Sequence, residues 1–288
     1  MKSNQTYSLR EIQEHLKNGD FPFSGTTQMG SAEFHFLQPS WYAGVAIHAG
    51  SNVRDEILSA MKIRRADRYR EEDPYTERFI RDFPIRIKAR DSRFEYDINR
   101  DRDMAIYTTP QTSWGIEVWN QPLTSEEIDR SIKKYDEFHQ LMDIVTAYLL
   151  KQNHYGVIFD FHSYNYQREE KVPWQIDAKP VINIGTGPVN RDRFGHIIDS
   201  LLFSLNKISI AGHPISASEN VVFKGGGLSR RLSPAYYDQL LFLAIEFKKI
   251  FMDEWSGQLY EDILEQLADA FSLGVKQVVT HPFLSQKR

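Results

Sequence analysis

Two histidines that follow apolar segments are the residues of this sequence best suited to hold a metal ion. His48 follows the run WYAGVAI, and His162 follows the run YGVIFDF. Such runs are typical of buried strands, and open α/β sheets carry their sites at the carboxyl ends of the strands. A lone histidine is usually a hydrogen-bonded structural residue. Two at equivalent strand ends indicate a metal site.

A carboxylate is expected beside these histidines, because a catalytic zinc commonly has three protein ligands and one open position. The acidic segment 71–77 (EEDPYTE) offers several candidates, and Glu56 lies eight residues after His48. The segment is also compatible with a solvated acidic loop. The spacing of these residues in the sequence does not show which carboxylate binds the metal.

Glu246 interrupts the otherwise apolar run LFLAIEF. A buried carboxylate costs several kcal/mol unless it is paired, metal-bound or protonated. We therefore interpret Glu246 as a general base that takes a proton from attacking water. The alternative is a solvent-facing edge-strand glutamate, or one paired with Lys248.

Three polar residues are candidates for binding the substrate. Asn99 and Arg100 close the motif DINR, and Arg230 closes GGGLSR. Guanidinium groups bind carboxylates through two parallel hydrogen bonds and can stabilise an oxyanion; the alternative is a structural or surface role. The glycines at 225–227 lack the Lys-Ser/Thr of a phosphate-binding loop, so we predict a loop that passes close to a ligand.

The apolar periodicity predicts the elements that position these residues. The clearest is a long amphipathic helix over 125–153, with a serine N-cap and glutamates in its first turn. Strands are predicted near 41–47, 84–90, 155–161, 181–184 and 241–247, and helices near 8–17, 54–65, 193–206 and 259–273. This pattern predicts one α/β domain over 41–288, with residues 1–40 as an N-terminal extension packed on it.

Composition excludes several classes of function. With 35 basic and 39 acidic residues and a net charge of −4, nothing favours nucleic acid or a membrane as partner. No apolar stretch approaches the roughly 20 residues of a membrane span, and no signal peptide is visible, so we expect a cytoplasmic protein. The absence of cysteine leaves His, Asp and Glu as metal ligands. Oligomeric state is not indicated.

Taken in chain order, these segments resemble the N-formylglutamate amidohydrolase family and, more remotely, the zinc carboxypeptidase and aspartoacylase group. The matching blocks are HAG (48–50), TE (76–77), SRF (92–94), DINR (97–100), DFHS (160–163), NIGT (183–186), KGGGLSR (224–230) and the late glutamate at 246. Carboxypeptidases place a glutamate ligand three residues after the first histidine, where this chain has Ser51.

The resemblance implies a three-layer α/β fold of the zinc-exopeptidase (phosphorylase/hydrolase-like) type, with a mixed, mostly parallel central sheet flanked by helices. It also implies one Zn²⁺ per chain. Asp160, two residues before His162 and on the same side of an extended strand, is a candidate to orient that histidine, with a structural role as the alternative. For the third ligand we choose Glu77, with Asp73 second and Glu56 third. The implied site consists of His48, Glu77 and His162 at the metal, Glu246 and Arg93 in catalysis, and Asn99, Arg100 and Arg230 at the substrate.

The activity implied is hydrolysis of N-formyl-L-glutamate to formate and L-glutamate, a step of histidine degradation. One alternative is a carboxypeptidase- or aspartoacylase-like hydrolase of another carboxylate-bearing amide. A second is a non-catalytic binding protein on the same fold. A third, a nucleotide-binding module built on residues 225–227, has no other support in the sequence.

Overall fold

The computed structural model describes residues 5–168 and 173–284. Within them the strands are β1 (Thr6–Tyr7), β2 (Phe23–Thr27), β3 (Ala32–Phe36), β4 (Tyr42–Ala46), β5 (Ile85–Ala89), β6 (Gly156–Tyr164), β7 (Ile182–Gly185), β8 (Ser209–Ile210), β9 (His213–Pro214), β10 (Ala217–Glu219) and β11 (Leu240–Lys248). The α-helices are α1 (Leu9–Asn18), α2 (Asp55–Ala60), α3 (Arg65–Glu71), α4 (Ser125–Gln152), α5 (Arg191–Leu205), α6 (Gly227–Ala235) and α7 (Glu261–Val279). Short 3₁₀ helices cover Thr76–Ile80, Arg102–Met104 and Pro110–Thr112.

Nine of these strands form one mixed sheet in the order β1-β2-β3-β5-β4-β6-β11-β7-β10. Neighbours β5, β4, β6 and β11 run parallel, while the pairs β2–β3, β3–β5 and β11–β7 are antiparallel. Strands β8 and β9 form a separate pair. The predicted α/β class, with a mixed and mostly parallel sheet between helices, is confirmed.

The two faces of the sheet bury different sets of residues. On one face Phe159, Phe161 and Phe247 pack with α5 and α7. On the other, Ile158 and Phe242 pack with α1, α4 and α6. Because side chains alternate along a strand, this second face continues from Ile158 and Phe242 to polar residues at the carboxyl ends of β6 and β11. The polar end of this face carries the candidate site.

Helix α4 begins with a capping box formed by Thr124 and Glu127. The Thr124 side chain accepts a hydrogen bond from the backbone N–H of Glu127, and the Glu127 carboxylate accepts from the backbone N–H of Thr124. The N-cap is therefore one residue before the predicted Ser125. The arrangement satisfies two of the free N–H groups at this helix end.

Residues 1–40 are predicted to form an extension packed on the domain, and strands β1, β2 and β3 of this segment lie in the central sheet. β3 pairs antiparallel with β5, placing Phe34 opposite Ile87. Phe23 and Phe36 stack at 4.8 Å. The alternating burial of AEFHF is that of a half-covered strand, a period-2 pattern too short to stand out in the sequence. The predicted helix at 8–17 corresponds to α1.

No helix among the described residues combines the length and apolarity needed to cross a bilayer.

A buried histidine of α4 makes the stability of the fold depend on pH. His139 donates from Nε2 to the Ile98 carbonyl at 3.0 Å, and its Nδ1 accepts from Arg231 Nε at 3.1 Å. Burial, and then the charge of Arg231, lower the pKa of His139 to about 4. The unfolded chain has a histidine pKa near 6.5 and binds the extra proton between these values. The free energy of unfolding therefore falls as the pH falls through this window.

We expect His139→Gln, which keeps an N–H donor but does not titrate, to flatten this dependence. Between pH 6.5 and 4 the variant should lose less stability than the wild type, measured by urea unfolding at a series of pH values. Equal slopes for the two proteins would show that His139 does not contribute. The exposed His213, replaced in the same way, is the control.

Candidate active site

His48, Asp73 and His162 bring three ligand atoms together at the carboxyl ends of β4 and β6. Asp73 Oδ2 lies 3.3 Å from His48 Nδ1 and 3.2 Å from His162 Nδ1, and the two Nδ1 atoms are 3.2 Å apart. The atoms thus form a nearly equilateral triangle, and all three residues are buried. Ligand atoms of a tetrahedral zinc lie about 3.4 Å apart, so the spacing fits a metal ion.

The other ring nitrogens are held by carboxylates. His48 Nε2 donates to Asp97 Oδ1 at 2.8 Å, and His162 Nε2 donates to Asp160 Oδ2 at 2.9 Å. Neutral rings held in this way present both Nδ1 atoms as acceptors, facing an acceptor oxygen of Asp73. Three acceptors at this spacing repel one another unless a cation lies among them. The donor set therefore fits a metal ion, with both ligand histidines oriented by carboxylates.

The electrostatics of the site favour ionised carboxylates. Burial raises the pKa of Asp73, but its interactions with the neighbouring His162 and His48 lower it by more, so the net shift is downward. Burial likewise opposes the charge of Asp97, yet Arg93 and His48 hold its pKa well below the usual range. For His162, burial lowers the pKa, but the charge of Asp160 raises it well above 6.5. Negative charge therefore surrounds the two imidazoles and favours a positive charge between them, which is either a proton on His162 or, when both rings are neutral, a metal ion.

The carboxylate of this cluster is Asp73, our second choice, and Glu77, our first, does not reach it. Glu77 lies on the 3₁₀ helix Thr76–Ile80 with its carboxylate 4.0 Å from Lys88 Nζ. Asp73 is held beside His48 because its backbone N–H donates to the His48 carbonyl at 3.1 Å. Glu56 pairs with Arg54 and Arg130 and is also outside the cluster.

Glu246 lies next to the cluster on β11, as the partner of His162 in the parallel β6–β11 register. Its side chain is partly exposed and accepts no hydrogen bond from any described residue. Burial raises its pKa to about 7, an effect that the histidine charges reduce and Asp73 increases. An unpaired carboxylate with a pKa near neutrality can both take up and release a proton.

Arg93 is anchored by the same carboxylate that holds His48. Its Nη2 donates to Asp97 Oδ2 at 2.7 Å, and its Nε donates to the same oxygen and to the Tyr107 hydroxyl, both at 3.2 Å. The guanidinium lies 4.7 Å from the centre of the Trp114 ring. In the part of the chain that the structure describes, its Nη1 has no acceptor, so Arg93 keeps a donor for a ligand.

The predicted substrate-binding residues lie together on the loop after Asp97 and at the start of α6. The Asn99 side chain accepts from the backbone N–H of Leu228 at 3.3 Å, and Gly227 donates to the Asn99 carbonyl at 2.8 Å. A Cβ on Gly226 would lie 2.1 Å from the amide atoms of the Asn99 side chain, so any other residue there would displace that side chain. Arg100 donates to the Thr112 carbonyl at 3.3 Å, and Arg230, 54% exposed, is 3.7 Å from Asp101.

A cavity of about 460 Å³ joins these groups. Each predicted site residue except Glu77 lines it: His48, Arg93, Asn99, Arg100, His162, Arg230 and Glu246. Further lining residues that the sequence analysis missed include Trp114, Arg168 and Lys179. They lie in loops without a recognisable pattern. Asp97, which orients His48, is the first residue of the DINR motif, so the sequence did contain a signal for this residue.

Comparison with known proteins agrees with this arrangement. The family model of N-formylglutamate amidohydrolase matches residues 45–251. The fold is similar to the crystal structure of N-formylglutamate amidohydrolase from Ralstonia eutropha JMP134, with a TM-score of 0.64 and 16% identity over 82% of this chain and 92% of that one. It is also similar to a gene product of Agrobacterium tumefaciens, with a TM-score of 0.54 and 18% identity over 83% and 90%. No curated protein sequence matches the chain significantly.

The matched segment contains every residue of the cluster and of the loops that surround it, from His48 to Glu246. It covers well over half of the 288 residues. This chain belongs to the N-formylglutamate amidohydrolase family.

Proposed function

We propose that this protein is a zinc-dependent hydrolase that cleaves the amide bond of an N-acyl amino acid, with N-formyl-L-glutamate as the first candidate substrate. The observation that carries the proposal is the triangle of His48 Nδ1, Asp73 Oδ2 and His162 Nδ1, with sides of 3.2–3.3 Å. His48, Asp73 and His162 would hold the zinc ion, one per chain. The family supplies the reaction and substrate class.

A zinc ion at this position would polarise the amide carbonyl and lower the pKa of water to about 7. Glu246 is the nearest uncommitted base, because Asp97 and Asp160 are occupied by the imidazole N–H groups. It would accept a proton from water as the new C–O bond forms. It would then return that proton to the nitrogen as the C–N bond breaks, yielding a carboxylic acid and an amine, which ionise at neutral pH to a carboxylate and an ammonium group.

The cationic and amide groups of the cavity would hold the rest of the substrate. Arg93 offers its free Nη1 to the carbonyl oxygen as negative charge develops there. Asn99, Arg100 and Arg230 line the same cavity and would bind the substrate carboxylate. Arg100 and Arg230 suit this role because no carboxylate of the described chain lies within 3.5 Å of either guanidinium.

The test is formate release from N-formyl-L-glutamate by purified protein, with and without a chelator. We expect release that the chelator abolishes and added Zn²⁺ restores. Zinc-loaded protein without formate release would redirect the assay to other N-acyl amino acids and to carboxyl-terminal peptide bonds. Protein that binds the amides without cleaving any of them would be a binding protein on this fold.

Asp160 gives a prediction about the histidine it holds. Asp160→Asn keeps an oxygen acceptor for His162 Nε2 but removes the charge that makes the imidazole a strong ligand. We expect zinc affinity to fall by roughly 10–100-fold, measured by competition with a chromophoric chelator. Asp91→Asn is the matched control, since Asp91 is equally buried but pairs with Lys134 instead of a histidine. Equal affinities for wild type and Asp160→Asn would contradict the assignment.

A further inference from the structure

Trp114 has a backbone conformation that is unfavourable for tryptophan. Its φ of 56° lies in the left-handed region, which glycine and asparagine adopt far more readily. The side chain is 44% exposed, so burial compensates for little of this strain. Strained residues of this kind concentrate at functional sites. The strained backbone and the exposed indole together indicate a functional role for Trp114.

A tight turn fixes this conformation. After the 3₁₀ helix Pro110–Thr112, the backbone N–H of Gly115 donates to the Pro110 carbonyl at 2.7 Å. The Ser113 hydroxyl donates to the Ile116 carbonyl at 2.7 Å. Gly115 itself has a φ of 84°. These hydrogen bonds hold the backbone at Trp114 in the left-handed conformation.

The Trp114 ring forms part of the wall of the cavity and lies over Arg93. The ring centre lies 4.7 Å from the Arg93 guanidinium carbon. The ring also makes edge-on contacts with the rings of Tyr107 and Phe94, with centre-to-centre distances of 5.7 Å and 6.4 Å. Arg93 is bound to Asp97, which holds His48. Trp114 thus covers the arginine nearest to the metal-binding cluster.

We propose that Trp114 is a substrate-contacting residue, whose ring forms the surface against which the N-acyl amino acid lies while Arg93 binds one of its oxygens. The class of ligand rests on the proposed function. An indole offers a large, rigid contact area. By excluding water from one face of Arg93, it strengthens the hydrogen bonds of the guanidinium to an oxygen of the ligand.

The test measures binding of N-formyl-, N-acetyl- and N-benzoyl-L-glutamate by calorimetry, using Glu246→Gln protein purified with zinc. Trp114→Asn removes the ring and suits the left-handed backbone, so the turn keeps its shape. Trp114→Phe restores a ring. Trp255→Asn is the matched control, because Trp255 is 51% exposed and stacks on Arg70 at 3.7 Å but does not line the cavity.

We expect Trp114→Asn to raise the Kd for the amides on the order of tenfold relative to the Glu246→Gln parent protein. Trp114→Phe should stay within about threefold of that parent, and Trp255→Asn should bind as the parent does. Ligand should also change the tryptophan emission of the parent but not that of Trp114→Phe. Unchanged binding by Trp114→Asn, or equal loss in Trp255→Asn, would overturn the inference.

The same experiment separates this inference from the proposed function. If protein with Glu246 intact hydrolyses none of the three amides while Trp114→Asn still weakens their binding, the proposed reaction fails and the role of Trp114 stands. If the amides are hydrolysed and Trp114→Asn has no effect, only the role of Trp114 fails. Binding of none of the amides would overturn both.

Discussion

Replacing Glu246 by glutamine is expected to lower kcat for amide hydrolysis by roughly 10²–10⁴-fold, the usual contribution of a general base. Glutamine keeps the size of the side chain but cannot take a proton from water. Glu246 is not part of the histidine–aspartate triangle, so zinc content should stay at the wild-type level. The measurements are the rate of formate release at saturating substrate and the metal content of the same sample.

The stability of the variant is an internal control. The Glu246 carboxylate has a pKa raised to about 7, mainly by burial, which means that its ionised form is disfavoured where it stands. The neutral amide should therefore leave the free energy of unfolding unchanged or increase it. A variant of normal stability and metal content that retains wild-type kcat would exclude Glu246 as the base.

Replacing Asp73 by alanine is expected to remove a ligand and to abolish both zinc binding and hydrolysis. We expect a loss of zinc affinity on the order of 100-fold or more, above the 10–100-fold typical of residues that only orient a ligand. Without Asp73, two imidazole nitrogens 3.2 Å apart remain as the site. The affinity is measured by chelator competition, and activity by formate release in zinc-supplemented buffer.

The matched control is Glu77→Ala, because Glu77 is the first choice from the sequence for the ligand role that we propose for Asp73. We expect this variant to keep wild-type zinc affinity and activity. Asp73→Asn, which preserves the side-chain shape, serves if the alanine variant folds poorly. Loss of zinc in Glu77→Ala, with retention in Asp73→Ala, would reverse the assignment of the third ligand.

The parts of the site that could be predicted from sequence lie on regular strands. His162 follows a run that is apolar except for Asp160, and Glu246 interrupts another apolar run. The parallel register of β6 and β11 places His162 and Glu246 side by side. Strand periodicity determines the face of each side chain, so both signals are local. His48 follows β4 in the same way, and the structure brings it to His162 as predicted.

Other parts depend on contacts that no local pattern encodes. Asp73 and Glu77 are only four residues apart in an acidic segment, and a single backbone hydrogen bond to the His48 carbonyl brings Asp73 to the site. Trp114 lies in a turn that follows the short 3₁₀ helix Pro110–Thr112. Strand β3 is too short for its alternation to predict that it pairs with β5. Such details follow from tertiary packing.

Metal content of the purified protein, measured by plasma emission on wild type and on His162→Ala, tests the central claim most directly. The proposal predicts about one zinc per chain in the wild type and its loss in the variant, since His162 supplies one corner of the triangle. Wild-type protein that binds no metal, even after zinc is added, would contradict the metal-dependent mechanism.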